Sequence, residues 1–143
     1  MLASAPMESR ELRLRTSGPT AIVDLTRACG DFLAEVAADR DGLLSVFVPH
    51  ATAGVALVEL GAGSEEDLRS ALDRLLPRDG AWRHEHGSPG HGADHVLPAL
   101  VAPSTTIPVI GGRMALGTWQ SVALVDPNRD NPDRRVRLSF LPG

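Results

Sequence analysis

All five histidines of the chain lie between His50 and His95, in a sequence with one cysteine and no lysine or tyrosine. Neutral imidazole is the commonest metal ligand and exchanges protons near neutral pH, so this stretch is where chemistry could sit. His84 and His86 are separated by one residue and point the same way on an extended segment. His91 and His95 stand at i, i+4, which on a helix lets two imidazoles meet one zinc ion. Gly90 and Gly92 flank His91 and argue against a helix there. His50 follows an apolar run and precedes Thr52, at a strand end where a rigid sheet positions functional side chains. Glu59 interrupts a second apolar run on the face of Val55 and Leu57. Buried there, it needs a cation, a metal or a hydrogen-bond partner, whereas at a sheet edge it faces water. The plain alternative for each histidine is a loop side chain that is solvated or bonded to a nearby carbonyl.

The composition narrows these options. With 143 residues, 43% hydrophobic, and a net charge of -4, the chain suits one globular domain able to bury its own core. A sequence pI near 5.7 disfavours general nucleic-acid binding. Every basic residue is an arginine, which excludes Schiff-base lysine chemistry and a phosphate-loop lysine. The lone Cys29 excludes an internal disulfide and a cysteine-only zinc cluster, leaving histidine and carboxylate as metal ligands and a reducing cytoplasm as the expected compartment. Residues 1–10 are too short and too charged for a secretory apolar region, Met7 is a candidate start, and residues 1–8 read as a flexible extension. No window reaches a membrane span of about 18 apolar residues. Phosphate-loop, nucleophile-elbow and dinucleotide motifs are absent.

These residues must be positioned by elements that the patterning suggests. Residues 11–16 and 21–25 read as strands of an opening hairpin around Gly18-Pro19. Thr26 can cap a helix with Cys29, Phe32, Leu33, Val36 and Ala37 on one face, ended by Asp41-Gly42. Apolar runs 43–48 and 55–60 read as central strands, with the His50 turn between them. Ser64 opens a helix through a capping-box-like Ser-Glu-Glu-Asp, and Pro77 stops it. Residues 78–92 form a long irregular loop carrying Trp82, His84, His86 and His91, and loops of this length are more often functional than idle. A short helix over 93–102 is limited by Pro98. A hairpin follows over 105–116 with Gly111-Gly112 at its tip, then an apolar strand over 121–125 in which Trp119 is expected nearby in the core. The last strand alternates Arg135, Arg137 and Ser139 with Val136, Leu138 and Phe140, so the two arginines either bind an anion or line an exposed face. The whole order describes an α+β domain with mainly antiparallel sheet.

Val48-Pro49-His50-Ala51-Thr52-Ala53-Gly54, Glu59, Asp67-Leu68, Leu75-Leu76-Pro77, Trp82-Arg83-His84, His95, Ser104 with Ile107-Pro108-Val109, and Leu116-Gly117-Thr118-Trp119-Gln120 occur in an order and spacing that resembles the YjbQ-like family. Its members are small cytoplasmic proteins often described as secondary thiamine-phosphate synthases. The resemblance covers the chain from about Glu11 to Gly143. It implies a single domain over 1–143, with a two-sheet, mainly antiparallel sandwich core and flanking helices, assembled as a homotrimer. It also implies that His50, His84 and His95 gather with Glu59 and Asp67 in one cleft holding a divalent metal, zinc or magnesium, or an anion. In that reading the three histidines are metal or phosphate ligands, Glu59 and His50 are catalytic, and Gln120 and Arg135 line the ligand site; His86 and His91 fall outside the pattern. The implied reaction joins a pyrimidine diphosphate to a thiazole phosphate with release of pyrophosphate. A low density of cationic side chains points to a weak or secondary activity, and the alternative is a trimeric metal- or small-anion-binding protein without it. A small phosphorylated molecule is the expected partner, with no nucleic acid and no membrane. The family's glutamate is commonly bracketed by asparagines, where this chain has Val58 and Leu60.

Overall fold

A computed structural model describes residues 5–143. The expected extension at 1–8 lies in part outside the described residues, and Glu8 already opens strand β1 (Glu8–Arg15). After it come β2 (Ala21–Asp24), helix α1 (Thr26–Val36), β3 (Gly42–Phe47) and β4 (Gly54–Val58). The order continues with α2 (Ser64–Leu75), α3 (His91–Leu100), β5 (Ser104–Ile110), β6 (Arg113–Met114), β7 (Ser121–Asp126) and β8 (Asp133–Pro142). The strands form two sheets, one ordered β1-β8-β3-β5-β6 and the other β2-β7-β4, with every pairing antiparallel. The α+β class and the two-sheet core are therefore as the sequence indicated.

The opening hairpin is not formed. β1 pairs with β8 and β2 with β7, because the turn at Gly18 (φ 87°) carries the chain from one sheet to the other. β3 and β4 are likewise split between the sheets, so the segment holding His50 crosses between them. Between the layers lies one apolar core. Leu44 and Val46 of β3, Val136, Leu138 and Phe140 of β8, and Val122 and Leu124 of β7 meet Phe32 and Leu33 of α1 there. A fully buried side chain of this size contributes about 1.5–3 kcal/mol. Cys29 belongs to the same core, where burial pushes its thiol pKa up to about 12 and makes it unreactive.

β7 is buried on both faces, as its continuous apolar run requires. The second cover comes from the chain's own helices, since Leu72 of α2 and Leu97 of α3 pack on Val125. β3 is covered on one face only, and Leu43 and Phe47 are exposed. β4 is an edge strand. Helix termini also depart from the sequence reading. Gly63, at φ 91°, precedes α2 with no side-chain cap, and the Glu65 carboxylate instead accepts the Gly61 N–H at 2.9 Å. Thr26 accepts the Val122 N–H at 2.9 Å, which ties α1 to β7 rather than capping it. α1 ends at Val36, before Asp41-Gly42, through a turn containing Ala38 at φ 52°.

Candidate functional site

α3 begins at His91, directly after Gly90 in the left-handed region at φ 79°. The two glycines that argued against a helix here are what let it form. A Cβ on Gly92 would lie 2.5 Å from the Cβ of Trp82, so the 78–90 loop can pack onto the first turn only because that position is bare. His91 and His95 consequently share a helix face, with their Nε2 atoms 3.1 Å apart. The packed loop brings His84 to 4.2 Å from His95, ring centre to ring centre, and His86 to 3.9 Å from His84. Ligand atoms of His84, His91 and His95 all lie within 4.8 Å of one another.

Buried His91 is fixed through its other nitrogen. Its Nδ1–H donates to Asp94 at 3.2 Å and lies 3.1 Å from the Asp130 carboxylate. A carboxylate at Nδ1 accepts a hydrogen bond from the proton carried there, and in the neutral tautomer this favours, Nε2 is the lone-pair nitrogen that faces His95. Arg78 pairs with Asp94 at 2.6 Å, and the Ser88 N–H donates to Asp130 at 3.0 Å. Burial raises the Asp94 carboxyl pKa against the opposing pull of Arg78 and His91, while the Ser88 hydrogen bond holds Asp130 low. His84 and His95 are both depressed, first by loss of water contact and then by the neighbouring imidazoles. Three imidazoles, one of them oriented by carboxylates, each with a ligand atom within 4.8 Å of the others, are a donor set that fits a divalent zinc-like cation.

His50 stands elsewhere. Among the described residues the group able to share an ion is His84, His91 and His95, so the structure joins His91, not His50, to the two expected ligands. His50 Nε2 accepts the backbone N–H of Arg135 at 3.0 Å, and the ring lines an open cleft of about 800 Å³ with Arg13, Arg15, Asp133, Arg134 and Arg135. His50 and Arg135 are thus brought together as expected of neighbours, in a place rich in cationic side chains rather than poor in them. Burial, then Arg134 and Arg135, lower the His50 pKa. Beneath the cleft, the buried Arg134 guanidinium is paired with Asp126 at 2.6 and 2.9 Å and donates to Thr52 at 3.0 Å. Asn128 donates to the same hydroxyl at 3.1 Å.

The remaining expected residues stand outside both groups. Glu59 follows the end of β4, is exposed, and has no ion-pair or hydrogen-bond partner among the described residues, which is the edge-strand alternative. Asp67 is exposed in the first turn of α2. Gln120 folds back to accept the Gly117 N–H at 2.8 Å, and Trp119 beside it is 74% exposed rather than in the core. Sequence reasoning missed Arg134 and Asp126. The signal was present: position 134 shares its parity with the inward Val136, Leu138 and Phe140.

The family described as UPF0047 protein YjbQ-like matches residues 10–143. UPF0047 protein Mb2586c of Mycobacterium bovis is 66% identical over 122 residues, 85% of this chain and 92% of that protein. A UPF0047 protein of Methanothermobacter thermautotrophicus is 34% identical over 132 residues, 92% of this chain and 90% of that one. The crystal structure of hypothetical protein APE1520 from Aeropyrum pernix superposes with a TM-score of 0.86 at 32% identity, covering 95% of this chain and 99% of that one. A YbjQ-like protein of unknown function from Sulfolobus solfataricus shares the fold at TM-score 0.89 and 20% identity, over 96% and 99% of the two chains.

Proposed function

The chain belongs to the UPF0047 YjbQ-like family, and from that premise we propose that it binds a divalent metal ion on His84, His91 and His95 and acts there on a small phosphorylated compound. The observation that carries the reading is His91: its Nδ1 is turned to Asp94 and Asp130, so its Nε2 is turned into the cluster, 3.1 Å from His95 Nε2. Three protein ligands leave coordination open, the arrangement of a catalytic site rather than a closed structural one. A bound divalent ion would supply charge stabilisation for a departing phosphate or pyrophosphate. Asp94 and Asp130 hold the ligating ring in one tautomer, and Arg78 holds Asp94. Within this reading the finer activity is the union of a pyrimidine diphosphate with a thiazole phosphate, releasing pyrophosphate. Elemental analysis of purified protein, followed by turnover of the two thiamine precursors, tests both levels. A stoichiometric metal lost in His95→Ala, with product formation lost alongside it, is expected; metal-free protein that turns over at the wild-type rate overturns the reading.

The second reading, a metal- or anion-binding protein without this reaction, is favoured by Glu59. It is exposed at the end of an edge strand, and Val58 and Leu60 beside it offer no amide to fix a substrate. Metal binding without turnover would select it. We further propose a cytoplasmic homotrimer. Leu43, Phe47, Ile110 and Leu141 expose apolar surface that a second copy can cover, and no described helix is long and apolar enough to cross a membrane. A light-scattering mass of one 15.1 kDa chain at micromolar concentration would overturn the trimer.

A further inference from the structure

On the face of the β1–β8 pair that carries Glu11, Arg13 and Arg15, the charged side chains are matched across the strands except at one step. Glu11 stands opposite Arg137 and Arg15 opposite Asp133, but Arg13 stands opposite Arg135. Like charges directly across a strand pair are destabilising, and here they lie at the lip of the His50 cleft. The local carboxylates do not remove the excess. Arg15 takes Asp133 at 3.1 Å, the buried Arg134 takes Asp126, and Glu11 alone is left for Arg13, Arg135 and Arg137, at 3.2, 3.7 and 3.5 Å. His50 adds a neutral donor. Its Nε2 lone pair is occupied by the Arg135 N–H, so the ring proton sits on Nδ1, which has no partner among the described residues.

We infer that this cleft is an anion site that takes the phosphate or diphosphate group of a small phosphorylated compound, with the guanidinium groups of Arg13 and Arg135 as its charged donors and His50 as its neutral one. The planar forks of arginine pair with phosphate oxygens through two bonds at once, and two arginines paired across the strands at one cleft supply two such forks. Among the described residues no phenylalanine or tryptophan lines the cleft to stack a base, so the phosphoryl group is what it recognises. The buried Arg134–Asp126 pair supports the start of β8, keeping the Arg135 N–H on His50 without spending its own charge on the ligand. The inference extends the reading that the substrate is phosphorylated, yet the cleft shares no residue with the histidine cluster, so the two fail separately.

The test is calorimetric titration of inorganic pyrophosphate into chelator-treated full-length protein at low salt. Wild type is expected to bind, Arg13→Ala with Arg135→Ala to bind about tenfold or more weakly, and His91→Ala with His95→Ala to bind as wild type does. Arg27→Ala, which removes one charge from an exposed site on α1, controls for net charge and should leave binding unchanged. No binding by wild type, equal binding by the Arg13, Arg135 double variant, or equal losses from Arg27→Ala would overturn the inference. So would a double variant that changes the oligomeric mass while leaving pyrophosphate affinity intact, since the arginines would then serve a contact between copies. Loss of binding only in the histidine variant would assign the anion to the cluster instead.

Discussion

In the histidine cluster the imidazoles sit on a loop and the first turns of a helix, and at His91 the nitrogen turned away from the cluster is held by carboxylates. In the His50 cleft the imidazole is held by a main-chain N–H of β8, above an ion pair that is buried and already neutralised. The two arrangements leave opposite groups free. A carboxylate on Nδ1–H leaves His91 with a lone pair, which suits a cation; an amide N–H on Nε2 leaves His50 with an N–H, which suits an anion. The same side chain is therefore made a ligand in one place and a donor in the other by what its second nitrogen touches.

The sharpest difference between the regions is in what they contribute to folding. Asp126→Ala leaves Arg134, whose side chain is 2% exposed, without its counter-charge, and should cost about 3–5 kcal/mol in urea denaturation. Combining it with Arg134→Met should recover much of the loss, because apolar groups of similar volume replace buried pairs well. His84→Ala, on the exposed loop, should leave the midpoint near that of wild type. A tolerant Asp126 beside a sensitive His84 would reverse the comparison.

Metal affinity should run the other way. His91→Ala or His95→Ala is expected to weaken zinc binding by more than about 100-fold, while His50→Ala, outside the group that can share an ion, should leave it unchanged. Competition titration against a chromophoric chelator reads this directly. Equal losses from His50→Ala and His91→Ala would join the two regions into one site.

Much of this was legible in the sequence, and the failures are specific. The last strand and the Gly111-Gly112 hairpin follow from periodicity and turn chemistry, and both glycines of the hairpin take positive φ. The opening hairpin failed because pairing partners of β1 and β2 lie far along the chain, at β8 and β7, and local pattern does not encode them. The His91–His95 pair was visible as a spacing but discounted for its glycines. Glycine propensity weighs against a helix; here tertiary contact decides, because a bare Gly92 admits Trp82. His50 was visible as a strand-end histidine, but its separation from the cluster depends on which sheet each flanking strand joins, and no spacing shows that.

A smaller effect isolates the carboxylates. Asp130 accepts from Ser88 and holds His91 Nδ1 from a partly exposed position, so Asp130→Asn keeps an acceptor and removes only the charge. Zinc affinity should fall by about tenfold with the fold intact. An unchanged affinity would mean that Asp94 alone orients His91.

The smallest expected effect is in the pH dependence of stability, and it separates the regions through their different ways of depressing an imidazole. His95 is lowered by burial and by the other imidazoles, and His50 by burial and by Arg134 and Arg135. In each, the folded form binds its proton at a lower pH than the unfolded chain, whose histidines titrate near about 6.5. Above that pH both states are neutral and the groups contribute nothing. As pH falls through the unfolded value the unfolded chain takes up protons first, so metal-free protein should lose stability progressively until the folded values are reached. Zinc should raise stability at neutral pH and make the part of this loss that comes from His84 and His95 larger and extend it to lower pH, because protons must then displace a ligand in the folded state only, and should leave the part from His50 where it was. Urea midpoints between about pH 5 and 8, measured with and without zinc on wild type and His50→Ala, resolve the two parts. A metal-free midpoint that rises on acidification would contradict both depressed values, and a zinc effect that disappears in His50→Ala would place His50 among the ligands after all.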